Sequence, residues 1–286
     1  PVPHKGFHEH DLFSKLADTA GRADHAFDDC LMIEWNDLEA METLFAHHGD
    51  KIAAVLMEPI MINMAGCMPE PGYLEGVREL CTRYGVVLIF DEVITGFRAG
   101  LNSAQGLLGV TPDMTTLAKA LGAGFPVAAF CGKKEIMDLV TEMKVLAGGT
   151  YNGHPLAMAA TIATIGELEK DNGAAYDHIN RLGNRLWEGV HEASRQAGSN
   201  LLLQGIPGAL TCNFSDKEKI INHADNLEEA EGVVKLRDFG ALMRERGVMC
   251  LGRFCTSLAH TEEDVDETLN RTEDALRALE RSRRAA

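Results

Sequence analysis

Apolar residues along this chain occur in short continuous runs that are separated by longer segments with helical spacing. Residues 51–57 (KIAAVLM) and 86–90 (VVLIF) are short apolar runs, typical of strands buried in a parallel sheet. Between them, a helical segment begins after Pro71 and ends near Tyr84. Strand, helix and strand in this order predict a right-handed crossover in an α/β sheet.

The same patterns predict further elements on either side of this unit. They are a helix capped by Asp37 that ends near His48, a strand at Val127–Cys131, a helix from Pro155 to about Lys170, a helix at Tyr176–Ala197, two short strands within Asn200–Phe214, a helix at Leu227–Arg246 and a last helix from a capping-box-like start at Thr261 toward Arg281. The order helix, small sheet, helix, helix predicts a smaller C-terminal domain at 166–286, after a large domain at 1–165.

Composition narrows the possible classes of partner. The formal net charge of the 286 residues is −16, which argues against nucleic acid or an anionic membrane. The sequence contains no run of 18 apolar residues, so we expect no transmembrane helix. The seven cysteines are odd in number and lack CxxC spacing, so we expect reduced thiols and a cytoplasmic protein. The histidines among residues 1–30 have no regular ligand spacing, and a solvated loop is favoured there over a metal site.

Three chemically active residues follow strand-like runs. Glu58, Asp91 and Lys119 each come just after such a run, and ligands of parallel α/β sheets bind beyond the carboxyl ends of the strands. Lys119 lies among apolar and small residues, which would desolvate it and lower its pKa, so that it can act as a nucleophilic amine. Asp91 can hold a cationic ring nitrogen. A Schiff-base lysine and an acidic partner are the two groups that pyridoxal phosphate needs.

Short sequence blocks around these residues follow one another in a specific order. They are Trp35–Ala40, Met57–Ile60, Asn63, Pro71–Leu74, Leu88–Arg98, Gly109–Asp113, the loop of Lys119, Gly124–Val127, Gly149–Pro155 and Ser257–Asp264. Their order and spacing resemble the class III pyridoxal-phosphate aminotransferases, in the branch around glutamate-1-semialdehyde 2,1-aminomutase. The resemblance covers nearly all of the chain after about residue 30.

This resemblance implies the fold and the assembly. The expected fold is α/β, with a mostly parallel large domain of the fold type I pyridoxal-phosphate transferases and a smaller α/β C-terminal domain. The small-residue phosphate-binding element that the family places before Asp91 is not found, so we expect an incomplete large domain and an N-terminally truncated chain. A targeting peptide would then lie outside this sequence. The resemblance also implies a homodimer.

The resemblance assigns roles to four residues around the cofactor, and a fifth, Glu58, is a candidate by its position. Lys119 would form the Schiff base and move a proton between the substrate and the cofactor. Asp91 would pair with the pyridinium nitrogen, Val93 would pack flat on the ring, and Asn63 would hydrogen-bond the phenolic oxygen. Val93, two residues after Asp91, is expected on the same strand face. Glu58 is either an active-site carboxylate or a strand-end ion-pair partner.

Three further residues are candidates for phosphate and substrate binding. Thr150 lies in a Gly-rich turn, and by resemblance it reaches the cofactor of the other subunit. Arg98 and Arg253 are candidates for binding a substrate carboxylate, although such arginines more often lie on the surface or in structural ion pairs. The stretch 247–255 departs from the family and is short, which leaves specificity open.

The favoured function is therefore a pyridoxal-phosphate aminotransferase that moves an amino group between an amine or amino acid and a carbonyl compound. One alternative is glutamate-1-semialdehyde 2,1-aminomutase, in which the transfer is intramolecular. Another is a truncated, non-catalytic chain that retains the dimer scaffold. A nucleotide-binding protein is disfavoured because no GxGxxG or GxxxxGK[ST] follows a strand.

Overall fold

The computed structural model describes residues 28–227 and 230–285; the N-terminal histidines discussed above lie outside them. Its helices are α1 Leu38–His48, α2 Tyr73–Tyr84, α3 Ser103–Leu108, α4 Lys134–Thr141, α5 Pro155–Glu169, α6 Ala174–Ala197, α7 His223–Leu227, α8 Ala230–Glu245 and α9 Glu262–Ala285. Its strands are β1 Ala54–Met57, β2 Val87–Glu92, β3 Met114–Leu117, β4 Ala129–Gly132, β5 Leu201–Ile206, β6 Ala209–Phe214 and β7 Arg253–Phe254.

The first sheet has the order β1-β2-β3-β4. Strands β1, β2 and β3 are parallel, as the sequence predicted, and β4 is antiparallel to β3. The register places Asp91 beside Thr116 and Glu92 beside Leu117. The carboxyl ends of the three parallel strands therefore meet at one edge of the sheet.

The two faces of this sheet differ in burial. Leu88 and Phe90 of β2 are fully buried in a core with α1 and α2, to which Phe45 and Val77 also belong. The opposite face is open, and Leu56 of β1 keeps 67% of its surface exposed. A continuous apolar run such as 86–90 is typical of a strand covered on both faces, and the described residues cover one of them.

The second sheet is antiparallel throughout, in the order β5-β6-β7. Its core is formed with α6, α8 and α9, and every residue of β6 is buried. Gly183 of α6 approaches the turn between β5 and β6 so closely that a Cβ there would lie 2.1 Å from the carbonyl oxygen of Pro207. Larger residues are excluded from this position, and the helix is held directly against the sheet.

The helix boundaries confirm most of the sequence predictions. The Asp37 side chain accepts a hydrogen bond from the Ala40 amide and caps α1. Thr261 and Asp264 form reciprocal hydrogen bonds at the start of α9, as the capping-box pattern predicted. Among the described residues, no helix combines the length and apolar character needed to cross a bilayer.

Candidate active site

Asp91 lies at the end of β2 on the open face of the first sheet. Its Oδ1 accepts hydrogen bonds from the Val93 amide at 3.0 Å and from the Thr116 hydroxyl at 3.3 Å. Its Oδ2 has no hydrogen-bond partner among the described residues. The carboxylate is thus held by one oxygen, while the other remains available to a donor on a ligand.

Lys119 leaves the neighbouring strand at the same edge. It follows β3 by two residues and opens a 3₁₀ turn at Lys119–Gly122 with a φ of +48°. A left-handed backbone is uncommon for a residue with a side chain and is often found at functional sites. The Lys119 side chain is exposed and makes no hydrogen bond or ion pair with the described residues. The expected desolvation by its neighbours is not observed, because Leu121 turns into the core while Lys119 faces outward.

Glu58 and Asn63 form a hydrogen-bonded pair near Asp91. Glu58 follows β1 directly, and its Oε1 accepts a hydrogen bond from the Asn63 side-chain amide at 3.0 Å. Burial raises the pKa of Glu58, Asn63 partly offsets this, and the negative charge of Asp91 raises it further. The structure therefore brings Glu58, Asn63 and Asp91 into one electrostatic group at the carboxyl edge of the sheet.

Val93 contacts this group through its backbone amide, and no hydrogen bond joins Thr150 to it. Strand β2 ends at Glu92, so Val93 lies in the following turn, where strand alternation no longer fixes its direction. Its placement on the ring-binding face remains a prediction. Thr150 lies in the exposed loop between α4 and α5, and no hydrogen bond joins it to the other described residues.

The two candidate substrate arginines link the two sheets. Arg98 donates from Nη1 to the Thr256 carbonyl at 2.7 Å, and Arg253 donates from Nη2 to the Ile62 carbonyl at 2.8 Å. Arg253 approaches the site closely, since Ile62 precedes Asn63. Its Nε is buried and has no partner among the described residues. Each guanidinium thus donates at least one hydrogen bond to a backbone carbonyl oxygen.

Sequence reasoning missed two residues beside Asp91. Thr116 holds the Asp91 carboxylate, and only the strand register places it there. Glu92 is fully buried on the opposite face and accepts hydrogen bonds from the start of α3. Alternation along β2 would have placed Glu92 on that face, but only the fold shows its partners. The described residues contain no group of three or more potential metal ligands.

Comparison with known proteins identifies the family. The class-III aminotransferase family matches residues 15–276. This chain belongs to the class-III aminotransferases. A relative from Brevibacillus brevis, glutamate-1-semialdehyde 2,1-aminomutase 2, is 37% identical over 268 residues, which cover 92% of this chain and 61% of the relative. The chain thus spans about three fifths of the length of the curated relatives that it matches.

Solved structures agree with this assignment. An omega-transaminase from Sphaerobacter thermophilus has a TM-score of 0.84 and 29% identity, over 92% of this chain and 60% of that one. A glutamate-1-semialdehyde aminomutase from Pseudomonas aeruginosa PAO1, in complex with PMP, has a TM-score of 0.78 and 26% identity, over 90% of this chain and 59% of that one. The expected fold type I α/β architecture with a mostly parallel sheet is confirmed.

Proposed function

We propose that this chain holds pyridoxal phosphate at the carboxyl edge of its parallel sheet and carries the catalytic residues of an aminotransferase. The reaction moves an amino group between an amine or amino acid and a carbonyl compound. One observation carries the proposal: a carboxylate with one free oxygen and an amine without a partner leave adjacent parallel strands at the same edge. The names of the relatives support it.

The residues at this edge suit the cofactor. When bound, pyridoxal phosphate supplies an aldehyde carbon that condenses with amines and a ring that accepts electrons. Lys119 would hold the aldehyde carbon through Nζ. The free Oδ2 of Asp91 would accept a hydrogen bond from the ring nitrogen. Asn63, oriented by its hydrogen bond to Glu58, would donate to the phenolic oxygen, and Val93 would pack on the ring.

The same residues would then carry out the proton chemistry. Once the substrate amine has displaced Nζ from the aldehyde carbon, the free Lys119 amine would accept the proton from the α-carbon of the substrate as a general base and later give it up as a general acid. The negative charge of Asp91 would keep the ring nitrogen protonated, and this would stabilise the negative charge that develops during proton removal. Because the Val93 amide and Thr116 hydroxyl already hold Asp91, little reorganisation is needed when that charge appears.

Other parts of the proposal concern assembly and substrate binding. We propose a homodimer in which Thr150 binds the cofactor phosphate of the other subunit; the complete exposure of its loop supports this. Arg253 is the better candidate for a substrate carboxylate, since its unpaired Nε lies beside the Asn63 segment. Two domains dividing near residue 165, within α5, agree with the separate cores of the two sheets. A cytoplasmic location agrees with seven free cysteines.

Two alternatives have specific support. The curated relatives are glutamate-1-semialdehyde 2,1-aminomutases at 36–37% identity, which supports an intramolecular transfer. An amino donor added in trans would be consumed by an aminotransferase, whereas an aminomutase would convert a single substrate without it. The open face of the first sheet supports a non-catalytic chain that keeps only the scaffold.

The test of the cofactor site is chemical labelling. The purified chain is mixed with pyridoxal phosphate, reduced with borohydride and digested, and the modified lysine is located by mass spectrometry. We expect label at Lys119 and its loss in Lys119→Arg, whereas Lys134→Arg, which changes an exposed lysine on α4, leaves it intact. Label spread over surface lysines, or no label, would support the non-catalytic alternative.

A further inference from the structure

A second carboxylate lies directly behind Asp91, on the buried face of the sheet. Glu92 has no exposed surface. It accepts hydrogen bonds from the Thr95 hydroxyl at 3.0 Å, the Ala104 amide at 2.6 Å, the Gln105 amide at 3.3 Å and the Gln105 side chain at 2.9 Å. It makes no ion pair with the described residues. Four hydrogen bonds therefore replace a cation in offsetting the cost of burying this charge.

This carboxylate connects three elements of the fold. Its own strand is β2, and the two amides belong to the start of α3. Gln105 also donates to the Thr115 hydroxyl at 3.2 Å, which continues the network to β3. On the open face, the neighbouring Thr116 donates to Asp91. Side-chain hydrogen bonds thus join β2 and β3 on both faces of the sheet. Strand β2 carries Asp91, and β3 leads into Lys119.

We infer that Glu92 is a positioning residue that fixes the end of β2 and the end of β3 relative to each other, and thereby fixes the separation between Asp91 and Lys119. The functional part of this inference rests on the cofactor site proposed above. Burying a charge that only hydrogen bonds compensate has a large desolvation penalty, which capping a helix of six residues does not require. It has a clear use where two catalytic groups must be held to within a fraction of an ångström.

The test variant is Glu92→Gln. It keeps the shape of the side chain but replaces one acceptor oxygen with an NH₂ group, which cannot accept from the Ala104 or Gln105 amide. A matched control is Asp113→Asn, which changes another buried carboxylate of the same sheet. Asp113 precedes β3 at the opposite edge, accepts from the Leu88 amide and pairs with Arg78. Both variants should be less stable than the parent chain, so stability alone does not separate them.

The first readout is amide hydrogen exchange of the chain without cofactor. We expect Glu92→Gln to accelerate exchange in residues 93–105 and also in residues 116–122, whereas Asp113→Asn leaves 116–122 unchanged. Acceleration confined to residues 93–105 would show that Glu92 only caps α3, and would overturn the inference. If Glu92→Gln does not fold, Gln105→Met decides the question by the same criterion, because it removes the side-chain hydrogen bonds from Gln105 to Glu92 and Thr115 and leaves the two α3 amides bonded to Glu92.

The second readout is the dissociation constant for pyridoxal phosphate, measured by absorbance titration. We expect Glu92→Gln to weaken binding by about tenfold, by analogy with the lower end of the range for the outer hydrogen-bond partners of metal ligands. Asp113→Asn should leave binding within about twofold, when each variant is measured at the same interval below its Tm. Equal weakening in both variants would overturn the inference. If the parent chain binds no cofactor, the proposed function fails, while the exchange experiment still decides the positioning role of Glu92.

Discussion

Helices α5 and α6 follow each other in the chain but have opposite relations to solvent. Helix α6 carries polar and apolar residues on different faces and buries an apolar stripe that includes Ile179 and Leu182. Helix α5 is apolar along most of its length, yet Ile162 keeps 73% of its surface exposed and Leu156 keeps 66%. A helix that is apolar all round normally lies inside a protein core.

The same contrast separates the two sheets. The antiparallel sheet closes a core between α6, α8 and α9, in which Phe214 and Phe239 meet edge to face at 5.7 Å. The parallel sheet has a core on one side, while Leu56 and Phe130 face outward on the other. Asp91 and Thr116 lie on this open face. The residues proposed to bind the cofactor thus belong to the part of the molecule whose apolar surface is least covered.

The largest expected effect is a difference in the free energy of unfolding between two isoleucine-to-alanine substitutions, one in α6 and one in α5. Ile179→Ala in α6 should lower the free energy of unfolding by about 2–5 kcal/mol, because it leaves a cavity in a packed region. Ile162→Ala in α5 should change it by less than about 0.5 kcal/mol, since little contact is lost. Urea unfolding followed by circular dichroism measures both. Equal losses would mean that α5 is covered in solution.

A smaller effect is expected on association. The open face predicts that the chain by itself is poorly soluble, because each exposed side chain of this size favours burial by about 1.5–3 kcal/mol. Leu56→Lys combined with Ile162→Lys should reduce aggregation and the fluorescence of a bound hydrophobic dye. Val233→Lys, at an exposed position on α8, the helix that packs on the second sheet, is the matched control and should change neither. Size-exclusion chromatography measures the outcome; a sharp dimer peak for the unchanged chain would contradict the expectation of poor solubility.

The sequence predicted the order of the elements well, because each depends on local spacing. Strand ends alone placed Glu58 and Asp91 near each other, and the register agrees, because it pairs Met57 with Phe90, the residues directly before them. The exposure of Lys119 was not predicted, since the left-handed backbone that turns it outward has no signal in a lysine. The backbone contacts of Arg98 and Arg253 depend on how two sheets dock, which no local pattern encodes.

The sequence also could not predict which faces of the first sheet are covered. A continuous apolar run such as residues 86–90 predicts burial on both sides. Burial on the second side requires residues that pack there, and the run itself carries no information on whether they are present. Similarly, Thr116 and Gln105 are ordinary polar residues until the strand register and the start of α3 bring them to Asp91 and Glu92.

The smallest expected effect is a pH dependence that reports how well the site is covered. Burial holds the pKa of Glu58 above its usual value of 4.5, so the folded state binds more protons than the unfolded state between 4.5 and the raised pKa. The free energy of unfolding should therefore fall as the pH rises through that window, relative to Glu58→Gln, and the difference should be constant below it. Glu70→Gln, at a more exposed carboxylate paired with Lys219, is the control.

Because Glu58 lies beside the open face of the first sheet, this pH dependence reports whether that face becomes covered. Any ligand or polypeptide that covers the open face increases the burial of Glu58 and should widen the pH window, provided that it brings no cation to the carboxylate. Pyridoxal phosphate, bound beside Asp91, would bury Glu58 further but would also bring a protonated ring nitrogen that offsets the negative charge of Asp91, so we expect the window to change rather than stay fixed. Urea unfolding at several pH values with and without the cofactor measures the change. A window that is identical in both conditions, under saturation confirmed by absorbance, would place the bound cofactor away from Glu58 and contradict its assignment to the site.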